Sequence, residues 1–211
     1  MHPNAAAVAS ALAEAGAAGE VRELTESART AAAAATALGC DVAAIANSLV
    51  FMADGEAVLI LTSGGHRVDT GYVAGQLGVG VLRRASPEQV RAATGQPIGG
   101  VAPVGHPSPV RTFVDTALAA YPVVWAAGGT PHTVFPTSYP ELLRICAAEP
   151  VTVTADETEP AADQANPWLT SQGVEAGPTP TPHRNHTGSV ATPGGANRRP
   201  TARSETPSRS R

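Results

Sequence analysis

Three glycine-rich segments of this sequence are suited to bind a small ligand. They are TSGG at 62–65, IGGVAPVG at 98–105 and AAGGTPH at 126–132, and each falls at a predicted strand end. Glycine adds no side-chain bulk, so such loops can offer backbone groups to a ligand. Their N–H groups can hold a developing oxyanion, and their carbonyls can hold an ammonium group or orient water. One such segment alone indicates a turn, but three together predict the walls of a small pocket.

Neither cysteine has the surroundings of an activated nucleophile. Cys40 is predicted at a helix end, where the dipole raises the pKa of a thiol, and Cys146 lies inside an apolar helix. The sequence also lacks a G-x-S-x-G elbow. We therefore expect both cysteines to be structural, and any hydrolysis to proceed without a covalent enzyme intermediate.

A metal site is an alternative source of chemistry. His66 and Asp69 form an H-x-x-D pair, and together with His106 and His132 they could in principle hold zinc. The spacing is generic, however, and Asp69 could equally pair with Arg67 or cap a helix. We expect no metal and no cofactor, and metal-dependent hydrolysis stays open as an alternative.

The elements that must position these loops follow from periodicity, capping residues and turn signals. Helices are predicted at about 4–16 with Asn4 as cap, before Gly39, over DTGYVAGQLG, after Ser86 and after Ser138. Strands are predicted in EVREL, VRTFVDTAL, YPVVWAAGG and PVTVTAD, and a hairpin joins Ser48–Met52 to Ala57–Thr62. Hairpins mixed with short helices predict an α/β fold with a mixed, curled sheet.

Composition divides the chain into two parts. Residues 1–155 predict one α/β domain, whereas residues 156–211 are rich in Pro, Thr, Ser and Arg and predict a disordered tail. The net charge of −4 argues against a protein that coats nucleic acid, although a local patch could still bind one RNA end. No apolar run is long enough for a membrane helix and the first residues make a poor signal peptide. We expect a soluble cytoplasmic protein with no membrane partner.

Four segments, taken in order, resemble the YbaK-type prolyl-tRNA editing domains. They are LGCDVAAIANSLVF, LTSGGHRVD, SPEQVRAATGQPIGGVAPVGHP and YPVVWAAGGTPHTVFPTSYPELLRI, and the similarity spans about residues 5–152. The resemblance implies a curved mixed α/β domain and an aminoacyl-tRNA deacylase that acts in trans. Its substrate would be a tRNA mischarged with a small amino acid, such as alanine or cysteine on tRNA for proline. A synthetase or elongation factor would be a further partner.

The resemblance also implies site residues. Gly100 to Pro103 match the G-x-x-x-P-type loop that contacts the aminoacyl group in the family, when one variable position is allowed among Gly99 and Gly100. Asn47 stands where many members carry a lysine. The chain contains no lysine at all, so either an arginine such as Arg67 contacts the phosphate or ester, or the substrate differs, or the activity is reduced. We assign the catalytic roles to Asn47, Gly100 and His106, the last as a proton shuttle or as a turn-stabilising residue. The substrate-binding residues would be Ser48, Arg67, Asp69, Gly99, Pro103, Gly105, Gly128, Gly129 and His132.

A non-catalytic relative is the second interpretation. Such a protein would bind a tRNA 3′ end, an aminoacyl ester or a nucleotide without cleaving it. The replacement of the usual lysine by Asn47 leaves this interpretation open.

Overall fold

A computed structural model of the chain describes residues 1–155. They form a mixed α/β fold in which one eight-stranded sheet carries helices on both faces. The helices are α1 (Pro3–Glu14), α2 (Ala31–Leu38), α3 (Thr70–Leu77), α4 (Pro87–Thr94) and α5 (Tyr139–Ile145). The strands are β1 (Arg22–Glu23), β2 (Ile45–Ala53), β3 (Glu56–Ser63), β4 (Leu82–Arg84), β5 (Arg111–Asp115), β6 (Val124–Ala127), β7 (Thr133–Thr137) and β8 (Glu149–Val151). The predicted fold class is confirmed.

The sheet has the order β1-β7-β6-β2-β3-β5-β8, and β4 pairs with β2 outside this path. The β2–β3 hairpin is antiparallel, whereas β6, β5 and β8 join their neighbours β2, β3 and β5 in parallel. The hairpin turns at Asp54 and Gly55, whose φ angles of 47° and 99° suit a type I′ turn. The hairpin predicted from the sequence is therefore confirmed, and it forms the centre of the sheet.

The two faces of the sheet pack against different helices. On one face, Ala46, Val50 and Met52 of β2 share a core with α1, α4 and α5. On the other face, Phe51 shares a core with α3, and Ile45 packs with α2. Alternate residues of β2 thus point to opposite layers, as the pleat requires.

Most predicted helix ends are confirmed by their caps. Ser86 forms a capping box with Gln89 at the start of α4, and Gly39 ends α2 in the left-handed conformation with a φ of 65°. The predicted cap of α1 is wrong. His2, not Asn4, is the cap, and its Nδ1 accepts a hydrogen bond from the Asn4 amide at 3.1 Å. The reason is Pro3, whose fixed φ suits the first helical position and starts the helix one residue earlier.

Two strands were not predicted from the sequence. β4 has only three residues, and β7 contains Pro136, a residue that usually argues against a strand. Both are held in the sheet by their neighbours, β4 by β2 and β7 by β1 and β6.

The predicted domain boundary near residue 155 stays a prediction, because the tail at 156–211 lies outside the described residues. Within residues 1–155, no helix combines the length and the apolar character needed to cross a membrane.

Candidate functional site: a cavity at a gap in the sheet

A cavity of about 100 Å³ lies beside β2, where the sheet is interrupted. The β2–β6 ladder contains only Ile45 and Ala46, and the β2–β4 ladder begins at Phe51. β3 occupies the opposite edge of β2 throughout. Between its two short ladders, the edge of β2 therefore has no strand partner within residues 1–155. The wall comprises residues 28–31, 34, 45–50, 84, 85, 90, 98, 99, 101, 125–127, 130, 133 and 134.

The backbone of Ser48 points into this gap. The Gly64 amide donates to the carbonyl of Ile45 at 2.8 Å, and the Ala85 amide donates to the carbonyl of Val50 at 3.1 Å. Because backbone groups alternate between the two edges of a strand, Ser48 directs its N–H and C=O away from β3, as Val50 does. A ligand in the cavity can therefore meet one donor and one acceptor from the same residue.

The hydroxyl of Ser48 is buried on one face of β2. It lies on the same face of β2 as Ala46 and Val50, opposite Leu61 of β3. Its Oγ is buried and has no hydrogen-bond partner among the described residues. Ser48 is thus a residue of the cavity wall whose own hydroxyl is buried without a partner among the described residues.

Asn47 lines the cavity from the other face of β2. It lies opposite Thr62 in the β2–β3 ladder, and Arg84 lies opposite Phe51 in the β2–β4 ladder. Directly opposed residues share a face, and residues 47 and 51 of one strand share a face too. Asn47 and Arg84 are therefore on the same side of the sheet, both in the cavity wall.

The charged side chains of the wall are all cationic. Arg29 and Arg84 line the cavity, and no aspartate or glutamate is among the lining residues. Burial, and secondly the like charge of Arg67, lower the pKa of Arg84. The predicted role of Arg67 is thus modified. Arg67 is not in the cavity wall, but its charge contributes to the lowered pKa of Arg84, which is in the wall. Together these arginines favour an anionic ligand at the mouth of the cavity.

The glycine-rich loop at 98–105 supplies part of the wall through Ile98, Gly99 and Val101. Gly99 has a φ of 82°, which favours glycine there, and a Cβ at this position would lie 3.3 Å from the Cβ of Arg29. The predicted pocket wall is therefore found at this loop. It is also found at Ala126 and Ala127 of the third segment, whereas no residue of TSGG lines the cavity.

Gly100 does not line the cavity. A Cβ at this position would lie 2.5 Å from the carbonyl carbon of Thr130 and 2.8 Å from the nitrogen of Pro131. Its amide donates to the carbonyl of Pro97 at 3.1 Å, so this N–H group is already engaged. Glycine is required here because two backbone segments lie close together. The structure therefore gives Gly100 a packing role and not a direct contact with an aminoacyl group.

His106 contacts the loop at 98–105 but does not line the cavity. Its Nε2 lies 2.8 Å from the carbonyl oxygen of Ala102, and burial lowers its pKa, while the hydrogen bond to Ala102 acts in the opposite direction. The ring is not in the cavity wall, and neither is the exposed His132, whose backbone carbonyl accepts from Leu24. The geometry favours the turn-stabilising role for His106 over the proton shuttle.

The remaining predicted binding residues support the cavity and do not line it. Asp69 caps α3 by accepting hydrogen bonds from the amides of Gly71 and Tyr72 at 2.9 and 3.0 Å. The other four pack the loops against the body of the domain. Gly105 and Gly129 lie against α1, the Gly128 amide donates to Thr133, and Pro103 accepts a hydrogen bond from Cys146 at 3.7 Å.

The residues of the alternative zinc site have separate partners. His66 pairs through Nδ1 with the buried carboxylate of Asp115 at 3.0 Å, Asp69 caps α3, and His106 bonds to the backbone. Within residues 1–155, no three histidine, cysteine or acidic side chains are grouped as a metal ion would require. The geometry therefore speaks against this alternative.

Neither cysteine supplies a nucleophile to the cavity. Burial raises the pKa of Cys146 to about 12, and burial and the neighbouring Asp41 raise the pKa of Cys40. Neither residue lines the cavity. A thiol with a raised pKa is rarely ionised at neutral pH, so both side chains fit the structural role predicted for them.

Sequence reasoning missed several residues of the wall, above all Arg29, Arg84 and Trp125. Arg29 precedes α2 and Arg84 belongs to the unpredicted strand β4. One signal in the sequence could have pointed to these two arginines. Because the chain has no lysine, a permanent positive charge at a site must come from arginine.

Known proteins with a similar sequence or structure share the fold described above. Residues 25–145 match the family model described as "Aminoacyl-tRNA editing domain". A crystal structure described as "a putative trans-editing enzyme for prolyl tRNA synthetase" superposes with a TM-score of 0.69 at 43% identity, over 74% of this chain and 99% of that one.

Two curated relatives differ in how much of their length is matched. The uncharacterized protein YwhH of Bacillus subtilis is 31% identical over 58% of this chain and 78% of its own length. The proline–tRNA ligase of Nitratidesulfovibrio vulgaris strain DP4 is 40% identical over 81 residues, which are 38% of this chain and 14% of the ligase. The chain thus matches a small part of the ligase and most of the smaller protein.

Proposed function

Because this chain belongs to the aminoacyl-tRNA editing domain family, we propose that it is an aminoacyl-tRNA deacylase that removes a small amino acid from a mischarged tRNA. The cavity beside Ser48 is the observation that carries the proposal. It combines a small volume, a strand edge with free hydrogen-bonding capacity and a cationic wall.

The size of the cavity supports a small aminoacyl group. About 100 Å³ is well below the roughly 300–1,000 Å³ of pockets that enclose drug-sized ligands. Several of its walls are alanine and valine side chains, namely Ala46, Val50, Val101 and Ala126. A larger amino acid is excluded by clash, which is the kind of selection that a small apolar pocket performs well.

The proposed reaction is attack of water on the ester. The oxygen of water bonds to the carbonyl carbon, the bond to the ribose oxygen breaks, and the ribose oxygen takes a proton. The Ser48 amide would donate to the carbonyl oxygen as negative charge develops there, and the Asn47 side chain would orient the ester or the water. Since no activated nucleophile lines the cavity, an acyl-enzyme intermediate is not part of the proposal.

Arg29 and Arg84 would receive the phosphate backbone of the tRNA end. Both arginines line the cavity, and no aspartate or glutamate is among its lining residues. Arginine matches phosphate geometry well, and it would supply the charge that the family lysine provides elsewhere. This assignment replaces the predicted direct contact by Arg67 with a contact by its neighbour.

We further propose that the domain acts in trans on tRNA for proline. The match over 99% of the protein described as "a putative trans-editing enzyme for prolyl tRNA synthetase" supports this arrangement. A synthetase or elongation factor that delivers the tRNA is a partner compatible with it, and the cytoplasm is where such partners occur.

The direct test is a deacylation assay on tRNA for proline charged with alanine, serine, cysteine or proline. We expect hydrolysis of at least one of the three small groups and none of prolyl-tRNA above the rate without enzyme. A matched pair of variants, Asn47→Ala in the cavity wall and Asn4→Ala outside it, separates the cavity from the rest of the domain. If the purified protein binds these tRNAs but hydrolyses none of them, the non-catalytic interpretation replaces the proposal.

A further inference from the structure

Trp125 is the one aromatic residue that the described part of the chain, residues 1–155, contributes to the cavity wall. It belongs to β6, where it lies opposite Ile45 of β2 in the parallel ladder, and it is half-buried. Aromatic residues are scarce in this chain, which has two tryptophans in 211 residues. The proposed contact with a small aminoacyl group does not explain an indole at this position.

The indole stands on the side of the sheet that α2 covers. Residues opposite each other in neighbouring strands share a face of the sheet, so Trp125 shares the face of Ile45. Both residues pack in one cluster with Ala34 of α2, and Ala34 also lines the cavity. The ring therefore borders the part of the cavity that lies between α2 and the sheet.

Arg22 lies over this ring. Its guanidinium carbon is 5.6 Å from the ring centroid. Arg22 lies opposite Val134 in the β1–β7 ladder, and Val134 lies opposite Ala127 in the β6–β7 ladder, so these three residues share the face of the indole. Val134 and Ala127 line the cavity, whereas Arg22 is exposed. The ring of Trp125 beneath Arg22 is therefore at the border between the cavity wall and an exposed side chain.

The two sides of the cavity differ in chemistry. On the side away from α2, the wall contains the apolar Ala46 and Val50, and the proposed function places the aminoacyl group there. On the side of Trp125, the wall contains the polar Asn47 and the cationic Arg84. An aminoacyl ester joins the amino acid directly to the ribose of the last nucleotide. An aminoacyl group on the first side therefore leaves the ribose and its base on the second.

We infer that the indole of Trp125 is a stacking surface for a nucleobase, which takes the place of the Arg22 guanidinium over the ring. The identity of the base rests on the proposed function, in which it is the adenine of the terminal nucleotide of the tRNA. Stacking of a base on an aromatic side chain is stronger than an exposed contact between arginine and a ring, so the base can displace the guanidinium. The displaced Arg22 remains close to the nucleotide, where it can pair with a phosphate.

The experiment uses calorimetry on the full chain with two trinucleotides, CCA and the same molecule with an abasic terminal nucleotide. In the wild type we expect CCA to bind at least about tenfold more tightly, because the stacked base adds to the affinity. In Trp125→Leu the two trinucleotides should bind within about twofold of each other, because the stacking surface is gone. Trp125→Tyr keeps an aromatic ring and should retain most of the preference for CCA.

Fluorescence gives a readout that a purely structural role of Trp125 would not change. The second tryptophan of the chain, Trp168, lies outside the described residues, and Trp168→Phe leaves Trp125 as the only source of tryptophan emission. A base stacked on an indole quenches its emission. CCA should therefore quench this signal at saturation, and the abasic trinucleotide should not. This measurement does not depend on the stability of Trp125→Leu.

Three results would overturn the inference. Equal affinity of the wild type for both trinucleotides, or binding of neither, would mean that no base meets the ring. An equal loss of affinity for both in Trp125→Leu would mean that Trp125 only supports the cavity wall.

The deacylation assay decides the proposed function separately. Hydrolysis of a mischarged tRNA by a protein that binds both trinucleotides equally would leave the deacylase proposal intact and remove the stacking surface. Base-dependent binding of CCA that is lost in Trp125→Leu, in a protein that hydrolyses no aminoacyl-tRNA, would support the stacking surface and remove the deacylase proposal.

Discussion

The buried side chain of Gln96 accepts a hydrogen bond from the backbone amide of Ala102 at 2.6 Å. Its Nε2 donates to the carbonyls of Val104 and Gly105 at 3.3 and 3.5 Å. Gln96 is only 2% exposed. One amide side chain therefore fixes the loop that follows Gly99, and with it one wall of the cavity.

Replacing Gln96 should loosen this loop. We expect Gln96→Leu to lower the free energy of unfolding by on the order of 2 kcal/mol, because buried backbone groups at Ala102, Val104 and Gly105 lose their partner. Chemical denaturation measures the loss. Gln96→Glu keeps the acceptor for Ala102 but not the donor, so its stability should be below that of the wild type as well. Wild-type stability in both variants would contradict this role.

Gly100 should be intolerant of a side chain for a reason of packing. A Cβ would meet the backbone of Thr130 and Pro131 below 3.0 Å, so we expect Gly100→Ala to cost about 1–3 kcal/mol of stability. Gly75 is the matched control, because a Cβ there has nothing within 4 Å and the residue lies inside α3. Gly75→Ala should stabilise by about 0.5–1 kcal/mol. Equal melting temperatures for the two variants would show that the close approach is not maintained in solution.

The part of this architecture that follows from local signals was predictable. The hairpin of β2 and β3, the cap at Ser86 and the stop at Gly39 each depend on a few adjacent residues, and all three are observed. The gap beside Ser48 depends instead on where two distant strands stop pairing with β2, a property that no local pattern contains. Asn47 and Ser48 were identified by resemblance to a family. Arg84 was not predicted, because the three residues of β4 are too few to show the alternating hydrophobicity of a strand.

The glycine-rich segments illustrate the same limit. Their composition correctly indicated tight loops, and Gly99 does line the cavity. Composition could not distinguish a glycine that faces a ligand from Gly100, which faces Thr130, since both need a residue without a side chain. The same holds for His106, which lies next to the loop but behind it.

Arg84 and Arg83 offer a comparison between adjacent cations on opposite faces of β4. Arg84 lines the cavity, whereas Arg83 does not and reaches Gln89 at 3.4 Å. We expect Arg84→Gln to weaken tRNA binding by about 1 kcal/mol and to reduce the salt dependence of binding by about one counterion. Arg83→Gln should change both by much less. Binding isotherms at several salt concentrations measure the slope, and equal slopes in the two variants would exclude a phosphate contact specific to Arg84.

His106 should make stability depend on pH. Its pKa in the folded protein is lowered, chiefly by burial, so the unfolded chain binds the proton first as the pH falls through about 6.5. The contribution of His106 is therefore complete above that pH and decreases as the pH falls towards its folded pKa. We expect His106→Gln to flatten the pH dependence of the melting temperature between pH 7 and 5, where about 6.5 is the unfolded midpoint. His132→Gln, at an exposed position, should keep the wild-type profile.

Asn47→Lys tests whether this chain compensates for the missing family lysine. Asn47 and Arg84 line the same face of the cavity, and no carboxylate lines it. An added ammonium group would strengthen attraction for a phosphate, so we expect tRNA affinity to rise at least about threefold at low salt and the salt dependence to steepen by about one counterion. Deacylation at subsaturating tRNA should rise by a similar factor, because kcat/KM includes binding.

Asn47→Gln is the control for this change, since it lengthens the side chain without adding charge. If Asn47→Gln gave the same gain, reach and not charge would be responsible. If Asn47→Lys instead weakened tRNA binding while the protein stayed folded, Asn47 would serve a substrate arrangement that a second cation beside Arg84 disrupts. Charge repulsion from Arg84 would then have to exceed the attraction for phosphate, and the loss should shrink as salt is added, because salt screens both charges.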